Sequence, residues 1–467
     1  MIVTKYVVFA VTSLSFLLVA ISGTTVSVAF PIITSSFNVS LILAGWVLSV
    51  NQLAATAIMP LAGKAGDIFG GKLTFLISIA VFTIGSLLGA IAPNIEFLIA
   101  ARFIQAIGLG SFLPLGTAIV SDQFPDARQQ AIGLFTSIMP IGMIIGPNIG
   151  GWLVDAFGWR SVFWLNIPLG VIVFIASFFL LKPGKKEEGQ LDLAGAGLFT
   201  GSLSAFLIAL SDIGSSPGRS SWLLPGLLFA AAIVLMLIFI RREGRIENPI
   251  IDLQLLKKRP FLAANIFNLL YGASVLGIMS FTPLYATSLY GMSTLESGLI
   301  LTPRSVGTMA ASIVTSISLP KWGYRWPMLF GTGIMVLSLF LLGIELTGIN
   351  VLGIHLSGTM ILLTIMFLSG VGMGVTAPAA NNACIELMPN RIATITGVRG
   401  MFRQSGSAIS IAVTSLILQN FSGMNQGFTV VYFGLAAILV ISAPLVFAMP
   451  KAAGALYPTE KASKQMP

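Results

Sequence analysis

Long apolar runs recur along the chain of 467 residues, broken by short polar stretches. A helix that crosses the hydrocarbon layer of a membrane needs about 20 mainly apolar residues. Fourteen runs meet that length: 7–31, 42–62, 73–93, 97–120, 131–154, 161–181, 192–211, 222–240, 261–288, 297–319, 326–346, 356–383, 393–419 and 428–449. Several contain Gly or Pro, which a membrane helix tolerates because its neighbours re-satisfy the freed backbone groups. The pattern predicts an all-α polytopic protein embedded in a lipid bilayer.

Composition sharpens this picture. Hydrophobic residues make up 56% of the chain and charged residues only 9%, where a soluble domain carries about 25% charged residues. The net charge of +9 does not point to nucleic acid, because the basic residues sit in short loops between spans. One alternate set of loops, with the two ends of the chain, holds nineteen Lys and Arg, from Lys5 and Lys64 to Lys451 and Lys464; the other set holds only Arg160 and Arg219. The positive-inside rule puts the first set and both termini in the cytoplasm, with the protein in the cell membrane. The first apolar run resembles a signal peptide, but no small-residue cleavage site follows it, so it reads as an uncleaved helix. Cys384 and His355 each stand alone, which removes a disulfide framework, thiolate or imidazole metal sites and most catalytic triads. No cofactor motif, nucleophile–base pair or Walker-type phosphate loop is visible, which argues against an enzyme and against direct use of ATP.

Two stretches match each other at a fixed offset. Gly108, Gly110, Pro114, Pro125, Gly133 and Gly142 fall on Gly372, Gly374, Pro378, Pro389, Gly397 and Gly406, each 264 residues later. A parallel duplication of membrane helices is a hallmark of one class of secondary transporter. The match pairs spans 4–5 with spans 12–13, so two helices are inserted between six-helix halves. Spans 7 and 8, bracketed by the two longest charged linkers, are the natural insertion. The predicted organisation is residues 1–182 as a first six-helix bundle, 183–259 as a linker with two extra helices, 260–450 as a second bundle and 451–467 as a cytoplasmic tail.

Several motifs carry candidate chemistry. GKAGDIFGGK, from Gly63 through Gly71 to Lys72, follows span 2, and its Asp67 can face the positive end of a neighbouring helix or sit in a solvated turn. Arg102 and Gln105 lie one turn apart in span 4. A charge in an apolar span is a functional hypothesis, unless it snorkels to the interface. GMIIGPNIGG in span 5 spaces Gly142, Gly146 and Gly150 four apart, with Pro147 and Gly151 beside them, so that helix backbones can pack closely. Further polar groups interrupt other spans: Asn51, Gln52, Asn268, Tyr271, Arg304, Asn381, Asn382, Arg399, Arg403 and Gln404. Singly, each Asn reads as an interhelical hydrogen bond; together they suggest a hydrated cavity between the halves. No Asp or Glu lies near the middle of any span.

On these motifs the chain resembles the major facilitator superfamily, in particular its fourteen-helix branch of drug:proton antiporters of the multidrug efflux type. GKAGDIFGGK is similar to the family's loop 2–3 motif, Arg102 and Gln105 to its helix 4 motif, GMIIGPNIGG to its helix 5 antiporter motif, GWRSVFWLNIPLG to its helix 5–6 junction, and Arg403, Gln404 and Gly406 to its helix 13 pattern. Ala106 replaces a usual Gly, Ser22 a usual helix 1 Asp, Ser27 a usual Asn and Asn51 a usual aromatic. The resemblance implies two six-helix bundles rocking around a central site, peripheral helices 7 and 8, and energy from a proton gradient. It assigns Asp67, Gly63, Gly71, Arg102, Gln105, Gly146, Pro147 and Gly150 to gating and coupling. Ser22, Asn51, Gln52, Asn268, Tyr271, Arg304, Asn381, Asn382, Arg399 and Arg403 are the expected cavity residues.

The function expected is secondary active export of amphipathic small molecules, proton-coupled, by a monomer without cofactor or metal. A carrier of an anionic or zwitterionic lipid-like or peptide-like metabolite is a second reading, and a non-transporting membrane sensor a third. Because arginines outnumber acids at membrane level, neutral or anionic amphipaths are expected to be preferred over organic dications.

Overall fold

The computed structural model of the chain describes residues 2–124, 131, 134–135, 138–182, 190–215, 222–246, 249, 256–277, 279–346, 348–351, 354–387 and 392–451. The helices are α1 (Ile2–Phe37), α2 (Leu41–Phe69), α3 (Gly71–Ala90), α4 (Ile95–Gln123), α5 (Ile138–Phe157), α6 (Ser161–Leu180), α7 (Leu193–Ser215) and α8 (Leu223–Glu243). They continue as α9 (Arg259–Gly272), α10 (Thr282–Tyr290), α11 (Thr294–Leu299), α12 (Leu301–Trp322), α13 (Arg325–Gly343), α14 (Gly358–Ile385), α15 (Ile392–Asn420) and α16 (Met424–Ser442). Four helix starts on the lysine-poor side of the bundle are capped by side chains. Ser40 accepts from the Leu43 amide, Asn94 from Phe97 and Ser357 from Met360, and Ser293 with Glu296 forms a capping box. Each cap satisfies an amide that the helix leaves unpaired.

The predicted spans and the helices largely coincide, and the tenth span is divided at Ile300 between α11 and α12; four further differences are local. The ninth span is broken: α9 ends in a π-helical turn, Ala273–Gly277, before α10. The second span runs on to Phe69, so most of GKAGDIFGGK is helical and the turn is confined to Gly70, at φ 92°. That backbone region is open to Gly and rarely to other residues. Between α13 and α14 lies a short antiparallel hairpin, Gly348–Val351 against Ile354–Ser357. It is a small exception to the all-α expectation, confined to a loop. Lastly, α7 is not peripheral. It packs against α8 but also against α2 and α15, and Trp46 donates to the Ser211 hydroxyl. Only α8 turns most of its surface outward, through Leu223, Leu224, Leu227, Ile233, Val234 and Leu237.

Among the described residues, eleven helices are long and apolar enough to cross a membrane on their own. The three spans that fall short are α9–α10, α12 and α15, which carry Tyr271, Arg304, and Arg399 with Arg403.

The sequence duplication has a structural counterpart. Gly108 of α4 abuts α3 at Phe82, and Gly372 of α14 abuts α13 at Met335 and Gly331. Two residues on, Gly110 touches α2 at Ala55, and Gly374 touches α12 at Thr308 and Ser312. Gly142 of α5 lies on α1 at Leu17 and Ala20, and Gly406 of α15 on α9 at Leu269 and Ala273. A Cβ would collide with the neighbouring helix at each of these glycines except Gly110, where it would lie 3.1 Å from Ala55 Cα. The same three close approaches are therefore made in both halves, by glycines at equivalent positions.

Candidate functional site

The halves meet along two seams. In the first, α2 packs on α15: the Leu41 amide donates to Gln419 Oε1 at 3.1 Å, Gly45 touches Ser415, and Gln52 Nε2 donates to the Ser407 hydroxyl at 3.0 Å. In the second, α5 packs on α11 and α12. The Leu295 amide donates to Asp155 Oδ2 at 3.0 Å, Asn148 Nδ2 to the Thr302 hydroxyl at 2.8 Å, and the Ser305 hydroxyl to the Met143 carbonyl at 3.0 Å. Phe30 of α1 meets Phe281 just ahead of α10, edge to face. The hydrogen bonds of both seams lie at mid-depth and toward the lysine-poor end of the bundle, and the first seam continues toward the lysine-rich end, where Gly400 faces Met59 and Gly397 faces Pro60.

The glycines of GMIIGPNIGG explain how α5 serves both halves. Gly142, Gly146 and Gly150 form one face against α1, with Gly146 against Thr24 and Ile21 and Gly150 against Thr25. On the other side Gly151 meets Leu295, and the Pro147 carbonyl occupies the space beside Gly298. The helix is a thin partition with backbone-level contact on two sides.

Arg102 is fully buried in α4. Its Nε donates to the Val47 carbonyl at 3.2 Å, and a terminal nitrogen donates to Gln105 Oε1. Gln105 Nε2 in turn donates to the Ser86 hydroxyl at 2.8 Å. This network joins α2, α3 and α4 and does not reach the seams. Gly63 faces Pro114 of α4, and Gly71 opens α3 facing Ile119. Lys72 Nζ donates to the Phe178 carbonyl at 2.7 Å, tying the start of α3 to α6. The Asp67 side chain lies outside the described residues.

The expected cavity residues divide into three groups. Ser22 is fully buried and accepts from Asn166 of α6 at 3.3 Å, so it belongs to the α1–α6 contact. Asn51 and Gln52 lie on α2 beside the first seam, where the buried Asn51 Nδ2 has no hydrogen-bond partner. Asn381 and Asn382 are half-buried on α14, with Asn382 Nδ2 bonded to the Pro378 carbonyl. The remainder converge. Tyr271 lies in the electrostatic field of Arg403, Arg304 and Arg399 together. Asn268 donates to its own helix at Ala264 and to Cys384 Sγ at 3.6 Å, next to Arg399. Tyr432 of α16 completes the group beside Arg304. It was not legible as a site residue, because a lone Tyr in an apolar span reads as ordinary packing. Asn166 was missed for the same reason.

The composition of the site and the packing of the halves fit membrane transport, and the sequence relationships decide it. A profile of the Major Facilitator Superfamily matches residues 12–411. The chain belongs to that superfamily. Multidrug transporter protein MdtP of Bacillus subtilis is 29% identical over 410 residues, covering 86% of this chain and 73% of the relative. Multidrug resistance protein B homolog of Mycobacterium tuberculosis is 30% identical over 405 residues, covering 85% and 73%. A bacterial homologue of the human lysosomal transporter Spinster, solved inward-facing and occupied, superposes over 94% of this chain and 95% of its own, with a TM-score of 0.65 at 15% identity. The architecture is the major facilitator fold. The chain is a multi-pass membrane transporter of small molecules rather than an enzyme, and its relatives include multidrug efflux proteins.

Proposed function

We propose that this major facilitator protein exports amphipathic small molecules from the cytoplasm by alternating access, driven by a proton gradient. The observation that carries the reading is the pairing of two equivalently packed halves across two seams whose hydrogen bonds lie at mid-depth and at the lysine-poor end. With the lysine-rich loops in the cytoplasm, that end is the outer one, and it is closed in this structure. Residues 1–182 and 260–450 are the moving bundles, 183–259 the linker with the inserted pair, and 451–467 a cytoplasmic tail. Both termini then lie in the cytoplasm and the protein lies in the cell membrane. A monomer is sufficient, since both halves come from one chain, and nucleic acid has no part.

Gating falls to the GKAGDIFGGK segment with Asp67 and to the α5 partition at Gly146, Pro147 and Gly150. The relatives named as multidrug transporters support an amphipathic cargo of broad structure. The test is uptake into everted membrane vesicles of a panel of amphipathic compounds, with and without an inside-acid proton gradient. Gradient-dependent accumulation that disappears on adding a protonophore is expected. Accumulation indifferent to the gradient would overturn the coupling, and no accumulation of any compound would overturn the export reading.

A further inference from the structure

Arg102 shows how this protein satisfies a buried arginine within one half. It lies deep in α4, and the Val47 carbonyl and Gln105 accept from its guanidinium. The arginines of the second half are treated differently. Arg304 is only 2% exposed, and a terminal nitrogen donates to the Val275 carbonyl at 3.1 Å. The Nε atoms of Arg304, Arg399 and Arg403 are buried without any hydrogen-bond partner, and so are the hydroxyls of Tyr271 and Tyr432. These five donor atoms come from α9, α12, α15 and α16. Arg399, Arg403 and Arg304 lie within electrostatic range of Tyr271, and Arg304 within range of Tyr432.

The backbone is built to bring them together. A Cβ at Gly272, next to Tyr271, would lie 2.9 Å from Arg403 Cα, and one at Gly370 would lie 2.8 Å from Arg304 Cα. The π-helical turn after Gly272 places the Val275 carbonyl where Arg304 takes it. No carboxylate stands beside the three arginines among the described residues. Glu345 is within electrostatic range of Tyr432 and accepts from the Thr429 hydroxyl at 3.1 Å. Buried cations without a counter-charge are costly in a low-dielectric interior. Clustering three of them is explained by an anion that arrives from outside the chain. Flat guanidinium forks and phenol donors suit the planar or tetrahedral array of oxygens on a carboxylate, sulfonate or phosphate. Phe267, stacked on Tyr271 with ring centroids 5.8 Å apart, supplies an apolar wall beside these donors.

We infer that Arg304, Arg399 and Arg403, with Tyr271 and Tyr432, form a binding site for the oxyanion group of an amphipathic substrate. Arg399 and Arg403 are half-buried on α15, the helix of the first seam, whereas Arg304 and Tyr271 are buried. The inference deepens the export reading and rests on it, since it assigns the cargo its charge.

The test uses the full-length protein reconstituted in nanodiscs, with 2-naphthoate and its uncharged isostere 2-naphthamide as probes. Binding is measured by titration calorimetry, and naphthoate is expected to bind at least about tenfold more tightly than the amide. Arg304→Gln, the double variant Arg399→Gln/Arg403→Gln, and Tyr271→Phe should each reduce that ratio, with naphthamide binding retained as the control for folding. Arg399→Lys keeps the charge without the fork and should keep part of the preference. Equal binding of acid and amide by the wild type, or an undiminished ratio in the double variant, would overturn the site. Excess sodium chloride and sodium phosphate form separate arms. Displacement of naphthoate by phosphate but not chloride supports an oxyanion site, and displacement by chloride at equal concentration would make it a halide site and overturn the inference. Vesicle transport separates this result from the wider reading. Gradient-driven export without anion preference would leave export standing and remove the site, whereas anion preference without transport would leave the site and remove export.

Discussion

Gly146 leaves no room for a side chain, because a Cβ there would collide with Thr24 and lie 3.1 Å from Ile21 Cα. Gly146→Leu is expected to insert into the membrane yet reduce transport to background, measured as vesicle uptake normalised to protein level. Transport at the wild-type rate would make the glycine spacing incidental. A second residue-level prediction concerns Asp192, just ahead of α7. Burial alone would raise its pKa, but the Gly195 amide, Arg242 and Glu243 outweigh burial and hold it below the usual carboxylate value. Arg242 pairs with it at 2.9 Å. A depressed carboxylate contributes stability above its unfolded pKa and loses it as pH falls through the folded value. Arg242→Gln should therefore cost about 1 kcal/mol or less at neutral pH, with the difference from wild type shrinking in acid. A melting-midpoint difference that grows in acid would contradict the assignment. At this scale the sequence showed which residues were unusual but not which ones meet. Arg102 and Arg304 look alike as charges in apolar spans, yet one is satisfied within its own half and the other joins a cluster. Ser22, at the position of a family acid, turns toward Asn166 in a helix–helix contact. Those outcomes depend on helix rotation, which a uniformly apolar span does not encode.

At the scale of elements, length and hydropathy located nearly every helix, because the bilayer imposes one length and one solvent on all of them. The exceptions have specific causes. The break in the ninth span runs from the π-helical turn at Ala273–Gly277 to Pro283 in the first turn of α10, a proline that a continuous apolar span conceals. The prolongation of α2 to Phe69 arises because its glycines pack on α4, at Pro114 and Leu115, instead of turning. The role of α7 in supporting the α2–α15 seam depends on Trp46 and Ser211 meeting, a contact between residues far apart in sequence. Sidedness rests on the loop charges alone. The native Cys384 is buried, so a Cys384→Ser background suits labelling with single cysteines at Gly184 and Gly244. Neither should react with a membrane-impermeant maleimide in intact cells, and both should react in everted vesicles. Labelling of either from outside would invert the topology.

For the whole molecule, six matched Gly and Pro positions anticipated a duplicated architecture, and the structure gives three of the pairs the same packing partners in both halves. What the sequence did not contain was the state of the molecule, meaning which end of the seams is joined. The hydrogen bonds between halves lie at the lysine-poor end and at mid-depth, so export by rocking requires them to part. The most direct measurement is a reversible lock across the second seam. Asp155→Cys and Leu295→Cys, in the Cys384→Ser background, replace residues whose backbone and side chain are already hydrogen-bonded. Oxidation should join the two cysteines, stop transport in vesicles, and release it again on reduction, while either single-cysteine variant is unaffected by oxidant. A cross-linked protein that transports at the rate of its reduced form would contradict alternating access between these halves.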